Sequence, residues 1–572
     1  MLLREIVRLI PQQFRRQGMG VTFSVLLQAA VNFIGLALLV PLLLLILDPQ
    51  SVDNASWSGR IRTGLHITDE TLFVILVCAG TGGLIVVKNV LILFINSFRI
   101  KYVNRLYLYF SEKLYTTYFR KGLLYVKQTH SASFAHKING NCYVFVQGIV
   151  SRLFVMGGEA LLLLMIDGAL MWYSPFLALL LALCLIPAVW FYYFVIRKKT
   201  SQYGALENEA WRLQSRLITE TFRGYAEVRT YHAFPFFAAR FREGLSRIAF
   251  YRERFEKMMN IPGGIMECGI AAGMILLVLY NKGDASMKVA FGLFAVAALR
   301  ILPSIRILIS GWIQLKNAGY TIDTIREAFE PDGDGLPAPA DTHATPHTSL
   351  HFREKIEIND LCFHFPDAGV NEAPVVRHFS LTIKKGERIG IRGASGAGKT
   401  TLFNLLLGLF APQAGTIIID GTPLTKDLLP DWHDLTGYVP QDVYIMDGTI
   451  TENIALGCTP ETVDRKRIEE ISEIVRLHDF IASLPDGLDT LLGENGCRLS
   501  GGQRQRMGIA RALYKQAEVL FFDEATSSLD TATETEIAEA IRELWDTRRE
   551  LTLILITHRE SLLAFCDRII DF

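Results

Sequence analysis

The sequence predicts a polytopic α-helical membrane domain of six spans, followed by an α/β domain. Three observations carry that prediction. Six long apolar stretches fill the first half. Hydropathy then falls after a Pro/Gly-rich linker, and strands begin to alternate with helices. A glycine-rich strand–loop–helix unit opens that second half. Composition agrees: of 572 residues, 50% are hydrophobic and only 20% charged, against about 25% charged in soluble domains. Mean hydropathy is +0.27. At roughly 150 residues per domain, the length implies three or four domain-sized units. Lys+Arg and Asp+Glu both number 58, so the chain has no bulk basic field with which to bind nucleic acid. The 8 cysteines occur singly, without CxxC or metal-ligand spacing, as ordinary thiols of a reducing compartment.

The apolar stretches lie at about 21–47, 71–97, 146–173, 175–195, 260–281 and 288–313. Each reaches the roughly 20 residues that cross a hydrocarbon core. Arg4, Arg8, Arg15 and Arg16 precede the first, while Lys101, Arg105, Arg197, Lys198 and Lys199 open the segments after the second and fourth. By the positive-inside bias those segments are cytoplasmic. Outside lie a loop near 49–70, the Tyr173-Ser174-Pro175 turn and the connection Asn281 to Met287. The segments 98–145 and 196–259 look helical and would carry the spans some 30–40 Å into the cytoplasm, where a second body must meet them. The domains are therefore expected at 1–330 (membrane domain with helical extensions), 331–349 (linker) and 350–572 (α/β domain).

In the second half, Gly393-Ala-Ser395-Gly396-Ala-Gly398-Lys399-Thr400 follows the strand ERIGIR and precedes the helical TLFNLLLGLF, which begins at Thr401. This is the setting of a P-loop. Glycines let backbone N–H groups converge on phosphate oxygens at a helix N-terminus, Lys399 bridges the terminal phosphates, and the Thr400 hydroxyl holds Mg²⁺. The apolar strand VLFF ends in Asp523 and Glu524. Asp523 can reach Mg²⁺ through water, and Glu524, one residue on, can polarise an attacking water. Between the two motifs, Leu499-Ser500-Gly501-Gly502-Gln503 opens a helix and forms a second anion-binding device. One nucleotide needs one cradle. The economical explanation is that Ser500 of one subunit closes over ATP bound to Lys399 of another.

These residues resemble the ATP-binding cassette of ABC transporters. Gly393–Thr400 is similar to the Walker A motif, Leu499–Gln503 to the signature and Leu520–Glu524 to Walker B with the catalytic glutamate. In the family's order follow Gln441 (GYVPQD, the Q-loop), Ser528-Leu529-Asp530 (the D-loop) and His558 (ILITHRE, the switch histidine). Phe365 (LCFHFP) stands at the adenine-stacking position, and Gly493-Glu494-Asn495-Gly496 resembles the exporter loop that contacts the membrane helices. The resemblance implies ATP contacts throughout the matched motifs. It also implies Mg²⁺ at Thr400, Gln441 and Asp523, and catalytic roles for Glu524, His558 and Gln441. It further implies an exporter-type half-transporter working as a dimer, homodimeric or heterodimeric, in a bacterial inner membrane with the cassette in the cytoplasm. One departure is the end of the sequence at Asp571-Phe572, where members usually continue through another strand and helix.

Ionisable groups within spans are costly and point to function. Lys88, Arg152, Glu159, Asp167, Glu267, Arg300 and Arg306 fall in or beside the six stretches. Residues 298–306 and Asn260-Ile-Pro262 are most similar to flippases of lipid-linked oligosaccharides. The expected substrate is accordingly amphipathic or lipid-linked, with Arg300, Arg306, Glu159 and Glu267 as candidate contacts. The competing expectation is that Arg300 is neutralised internally by Glu159, Asp167 or Glu267. An importer built on the same fold for a siderophore-like substrate, or an ATP-gated regulator or channel, are the rival functions. The spans exclude a soluble DNA-repair ATPase.

Overall fold

The computed structural model describes residues 2–40, 70–129, 131–280, 286–330, 350–366, 373–394, 396–524, 535, 539, 542 and 549–572. The linker 331–349 lies outside the described residues, as do 41–69, which hold the end of the first apolar stretch and most of the expected loop near 49–70, residues 281–285, Ser395 and the D-loop with Asp530. The chain divides into two compact units, 1–116 with 131–330 and 117–130 with 331–572.

Among its described residues the first unit holds six helices long and apolar enough to cross a membrane: Gln12–Ala37, Leu72–Arg120, Ser133–Tyr173, Pro175–Arg223, Phe234–Leu279 and Ala290–Asn317. They are longer than the apolar stretches because nothing in the polar extensions breaks them. The 49-residue second helix alone is roughly 70 Å long at 1.5 Å per residue. The first helix starts at Gln12 rather than near 21. Large apolar side chains stand exposed along the spans, among them Val87 (64%), Phe94 (72%) and Leu183 (62%), as lipid-facing positions require. Inside, Leu162, Ile166, Leu177, Leu181, Ile270 and Phe294 form a buried cluster. A Cβ at Gly269 would lie 2.3 Å from the Cys184 carbonyl oxygen, so the fourth and fifth spans meet backbone to backbone. The third span departs from α geometry in two π-helical segments, His136–Asn141 and Phe145–Ser151.

The described residues of the second unit form two sheets. The antiparallel one has the order β2-β1-β4-β5, with β1 Lys355–Phe363, β2 Val376–Lys384, β4 Ala414–Ile419 and β5 Thr422–Pro423. The other is parallel, in the order β6-β7-β8-β3-β9, with β3 Arg388–Arg392, β6 Thr436–Val439, β7 Val519–Asp523, β8 Thr552–Ile556 and β9 Arg568–Asp571. Strand β7 is buried along its whole length because both faces are covered. Val519 and Phe521 face the cluster holding Leu402 and Phe403 of the helix Lys399–Leu406. Leu520 and Phe522 face the cluster holding Met507 and Leu513 of the helix Gly501–Tyr514. The short helix Gly122–Gln128 belongs to this unit, with Leu123 and Leu124 packed on its core.

Candidate nucleotide site and a cavity of the six-helix unit

Because β3, β6, β7 and β8 are parallel, their C-terminal ends gather on one edge, where ligands of open α/β sheets bind. Strand β3 leads into Gly393 and then Lys399, β6 into Gln441, β7 into Asp523 and Glu524, and β8 into His558. The glycines serve the loop directly. Gly398 caps the following helix at φ 101°, and a Cβ there would lie 2.6 Å from Val375 Cγ1. Neither the left-handed backbone nor the close approach admits a larger residue cheaply.

The Lys399 ammonium, 4% exposed, donates to the carbonyl oxygens of Gly393 (2.8 Å) and Ala394 (2.9 Å), lies 3.1 Å from His558 Nε2 and 3.9 Å from Glu524 Oε1. His558 Nε2 is 3.5 Å from the same Glu524 oxygen, and Gln441 Nε2 donates to Glu524 Oε2 at 3.2 Å. Glu524 itself holds φ 46°, a left-handed conformation that costs a non-glycine residue energy and recurs at active sites. Fold and motif order thus bring together Lys399, Gln441, Glu524 and His558. Asp523 is 1% exposed; Thr400 Oγ1 donates to its Oδ1 at 3.2 Å and Tyr438 OH to its Oδ2 at 3.4 Å. Burial pushes the Asp523 carboxyl up, Glu524 adds to the rise, and the hydrogen bonds from Thr400 and Tyr438 oppose it. The Tyr438 phenol is pushed up by burial and by the same carboxylate, so it stays a donor.

These donors fit Mg²⁺. They are hard oxygens, a hydroxyl and a carboxylate 3.2 Å apart, of the kind that Mg²⁺ takes directly or through its retained waters. Thr401 lies in the first turn of the P-loop helix, and Gly396 holds φ 81° in the loop. Phe365 is half-buried in an aromatic cluster, its ring 5.3 Å from Phe363 and 6.0 Å from Phe410.

Away from this edge, Ser500 caps the helix Gly501–Tyr514 in a capping box. Its Oγ accepts from Gln503 N (3.2 Å), and its N–H donates to Gln503 Oε1 (2.8 Å). The hydroxyl is exposed and uses only an acceptor lone pair here, so its proton is available to a phosphate, while Gln503 is engaged in the cap.

In the six-helix unit four of the seven ionisable residues named from the sequence form two pairs. Arg300 donates to both oxygens of Glu159 at 3.3 Å, and Ser304 Oγ donates to Glu159 Oε2 at 2.6 Å. Arg306 reaches Glu267 at 2.5 Å. Of the two expectations for Arg300, the internal pair is the arrangement present. Arg99 was missed in the sequence because it falls just past the apolar stretch ending at 97, yet the helix continues through it. With Arg152 it lines a cavity of about 650 Å³ together with Gln147, Ser151, Glu207 and Asn317. Arg99 Nε is buried without a hydrogen-bond partner, and Glu207 lies 3.6 Å from Arg252. The cavity wall is therefore net cationic.

Comparison with known proteins accords with this geometry. A family described as ABC transporter matches residues 376–527. Over 426 residues, 74% of this chain and 69% of the relative, the sequence is 31% identical to an ATP-dependent lipid A-core flippase of Polaromonas sp.. The chain belongs to the ABC transporter family. A second relative, the ATP-dependent lipid A-core flippase of Burkholderia orbicola, is 34% identical over 387 residues, 66% of this chain and 60% of the relative. The chain thus spans about 60% of the length of the first such relatives. A solved bacterial Atm1-family ABC exporter with ATP bound shares the fold of this ABC transporter, at a TM-score of 0.74 and 22% identity, covering 98% of this chain and 93% of that one.

Proposed function

We propose that this ABC transporter is an ATP-driven exporter or flippase of an amphipathic anionic substrate. It works in a bacterial inner membrane as a homodimer that sandwiches two ATP. The observation that carries the reading is the convergence of Lys399, Glu524, His558 and Gln441, within 4 Å of one another in sequence of contact, at the ends of parallel strands. In that reading Lys399 neutralises phosphate charge, Glu524 accepts a proton from the attacking water, His558 contacts the terminal phosphate and Gln441 orients Glu524. Thr400 and Asp523 would hold Mg²⁺, which when bound neutralises charge on the phosphates. Ser500, on the signature helix, acts on the nucleotide of the partner subunit.

The substrate class is supported by the cavity. Its volume of about 650 Å³ lies in the usual range of ligand sites. Arg99 and Arg152 offer planar forks suited to phosphate or carboxylate. The names of the flippase relatives point the same way. Arg300, by contrast, is proposed as a structural partner of Glu159, and Arg306 as that of Glu267.

The test is ATP hydrolysis by protein reconstituted in vesicles, with and without a phosphate-bearing lipid on one face, together with movement of that lipid between leaflets. Lipid movement that does not depend on ATP would refute the reading. For the dimer, subunits carrying Lys399→Ala are mixed with subunits carrying Ser500→Arg. Pairing in trans leaves one composite site unmutated in the mixed dimer. If the mixture binds ATP no better than either parent, Ser500 does not act across a subunit boundary.

A further inference from the structure

Walker B carboxylates need orientation as well as position. An aspartate's terminal torsion is broad and roughly two-fold, so a carboxylate held through one oxygen can turn and exchange its oxygens. Asp523 is held through both, by donors from different elements. Thr400, on the P-loop helix, donates to Oδ1, and Tyr438, on β6, donates to Oδ2. The surroundings leave little else to hold it, since Asp523 is 1% exposed and its strand is buried throughout.

The position of Tyr438 follows from the sheet. Strand β6 pairs in parallel with β7, Tyr438 opposite Phe521 and Val439 opposite Phe522. The strand twist and the long phenol then carry the hydroxyl along β7 to its last residue. Two residues beyond the end of β6, Gln441 donates to Glu524. One strand end therefore makes two parallel bonds, Tyr438 to Asp523 and Gln441 to Glu524, onto the two adjacent carboxylates.

We infer that Tyr438 is a positioning residue of the nucleotide site: its hydroxyl fixes the orientation of Asp523 so that Oδ1 stays beside Thr400, where the metal of a metal–nucleotide complex is held. Tyr438 acts through Asp523 and does not touch the nucleotide. The inference rests on the proposed ATP reading and adds to it a residue that none of the matched motifs supplies.

Removing only the hydroxyl isolates the effect. Tyr438→Phe keeps the ring, which packs on the aromatic and aliphatic core around Phe521 and Trp432, and deletes one hydrogen bond to a carboxylate. The experiment uses the full chain in the Glu524→Gln background, with Mn²⁺ as the spectroscopic probe. Electron paramagnetic resonance reads Mn²⁺ affinity in the presence of saturating ATP, and a fluorescent ATP analogue in EDTA reads nucleotide affinity without metal. In Tyr438→Phe, Mn²⁺ should bind roughly fivefold more weakly, equivalent to about 1 kcal/mol. Metal-free nucleotide affinity should stay within twofold, and the thermal midpoint should not move. Thr400→Val should show the same pattern more strongly. Mn²⁺ affinity within twofold of the parent would overturn the inference. So would an equal weakening of metal-free nucleotide binding, because that would make Tyr438 a general packing residue of the pocket. Failure of the Glu524→Gln parent to bind Mn²⁺ with ATP at all would instead remove the ATP reading itself, and is distinguishable because it precedes any change at Tyr438.

Discussion

At the ends of β3, β6, β7 and β8, polar groups with unlike charges are held near one another by separate backbone segments. In the six-helix unit, Arg300 and Glu159 or Arg306 and Glu267 lie in direct pairs. The difference follows from the surroundings. At the strand ends Lys399 is buried while Glu524 and His558 are partly open to solvent, and in the proposed reading all three exchange these partners for a bound nucleotide. Within the spans an unpaired charge costs at least about 2.5 kcal/mol, so the pair is the stable arrangement. Among the described residues, Arg99 and Arg152 have no carboxylate in an ion pair with them, and both border an open cavity. Pairing thus sets Arg300 and Arg306 apart from Arg99 and Arg152, which face a cavity.

That contrast can be broken most forcefully at the strand edge. Glu524→Gln keeps shape but cannot take a proton, and should lower ATP turnover by about 10²- to 10⁴-fold while leaving ATP binding intact; turnover close to wild type would remove Glu524 as the base. Next in size is the pair in the spans. Arg300→Ala leaves Glu159, 16% exposed in its side chain, with Ser304 as its remaining contact from that cluster, so the thermal midpoint and expression should fall by an amount corresponding to about 2–3 kcal/mol. Adding Glu159→Gln should return part of the loss. If Arg300→Ala alone leaves stability unchanged, the pair is not structural.

The cavity predicts a different signature. Arg99→Ala should weaken binding of a phosphate-bearing lipid by about tenfold, with little loss for a neutral lipid of the same chain length. Equal loss for both would mean that Arg99 shapes the cavity without reading charge. The smallest effect belongs to the surface pair Arg388–Asp567. The Arg388 guanidinium holds the Asp567 carboxyl below its ordinary value of 3.8. Asp567 is 41% exposed, and solvent screening limits Asp567→Asn to about 0.5–1 kcal/mol. Because the folded carboxyl is the more acidic one, that stability is present above the ordinary value and lost as pH falls through the folded one. Denaturation midpoints of the two proteins should therefore differ at pH 7 and converge below about pH 4.

How much was legible in the chain varies by residue. Gly398 announces itself because its φ of 101° and its approach to Val375 suit only glycine, and Gly393 because a Cβ there would lie 2.4 Å from the Phe572 carbonyl oxygen. Asp523 and Glu524 do so because they end an apolar strand long enough to reach a buried centre. Six apolar stretches likewise announced six spans, since hydrocarbon thickness sets a minimum length. The helices run past those stretches, to Gln12 at one end and through Arg99 at another, because a helix can run beyond its apolar segment wherever no residue breaks it.

By itself the sequence determined whatever depends on local chemistry: which segments can cross a membrane, which loop can cradle phosphate, and the order of the motifs along the chain. Only the tertiary structure decided which partner each charge takes. Glu159 and Arg300 are 141 residues apart, and Tyr438 and Asp523 are 85 apart. No periodicity links such positions. Helix packing in one case and parallel strand order in the other select the partner, and that selection makes Arg300 half of an ion pair and Tyr438 a support for Asp523.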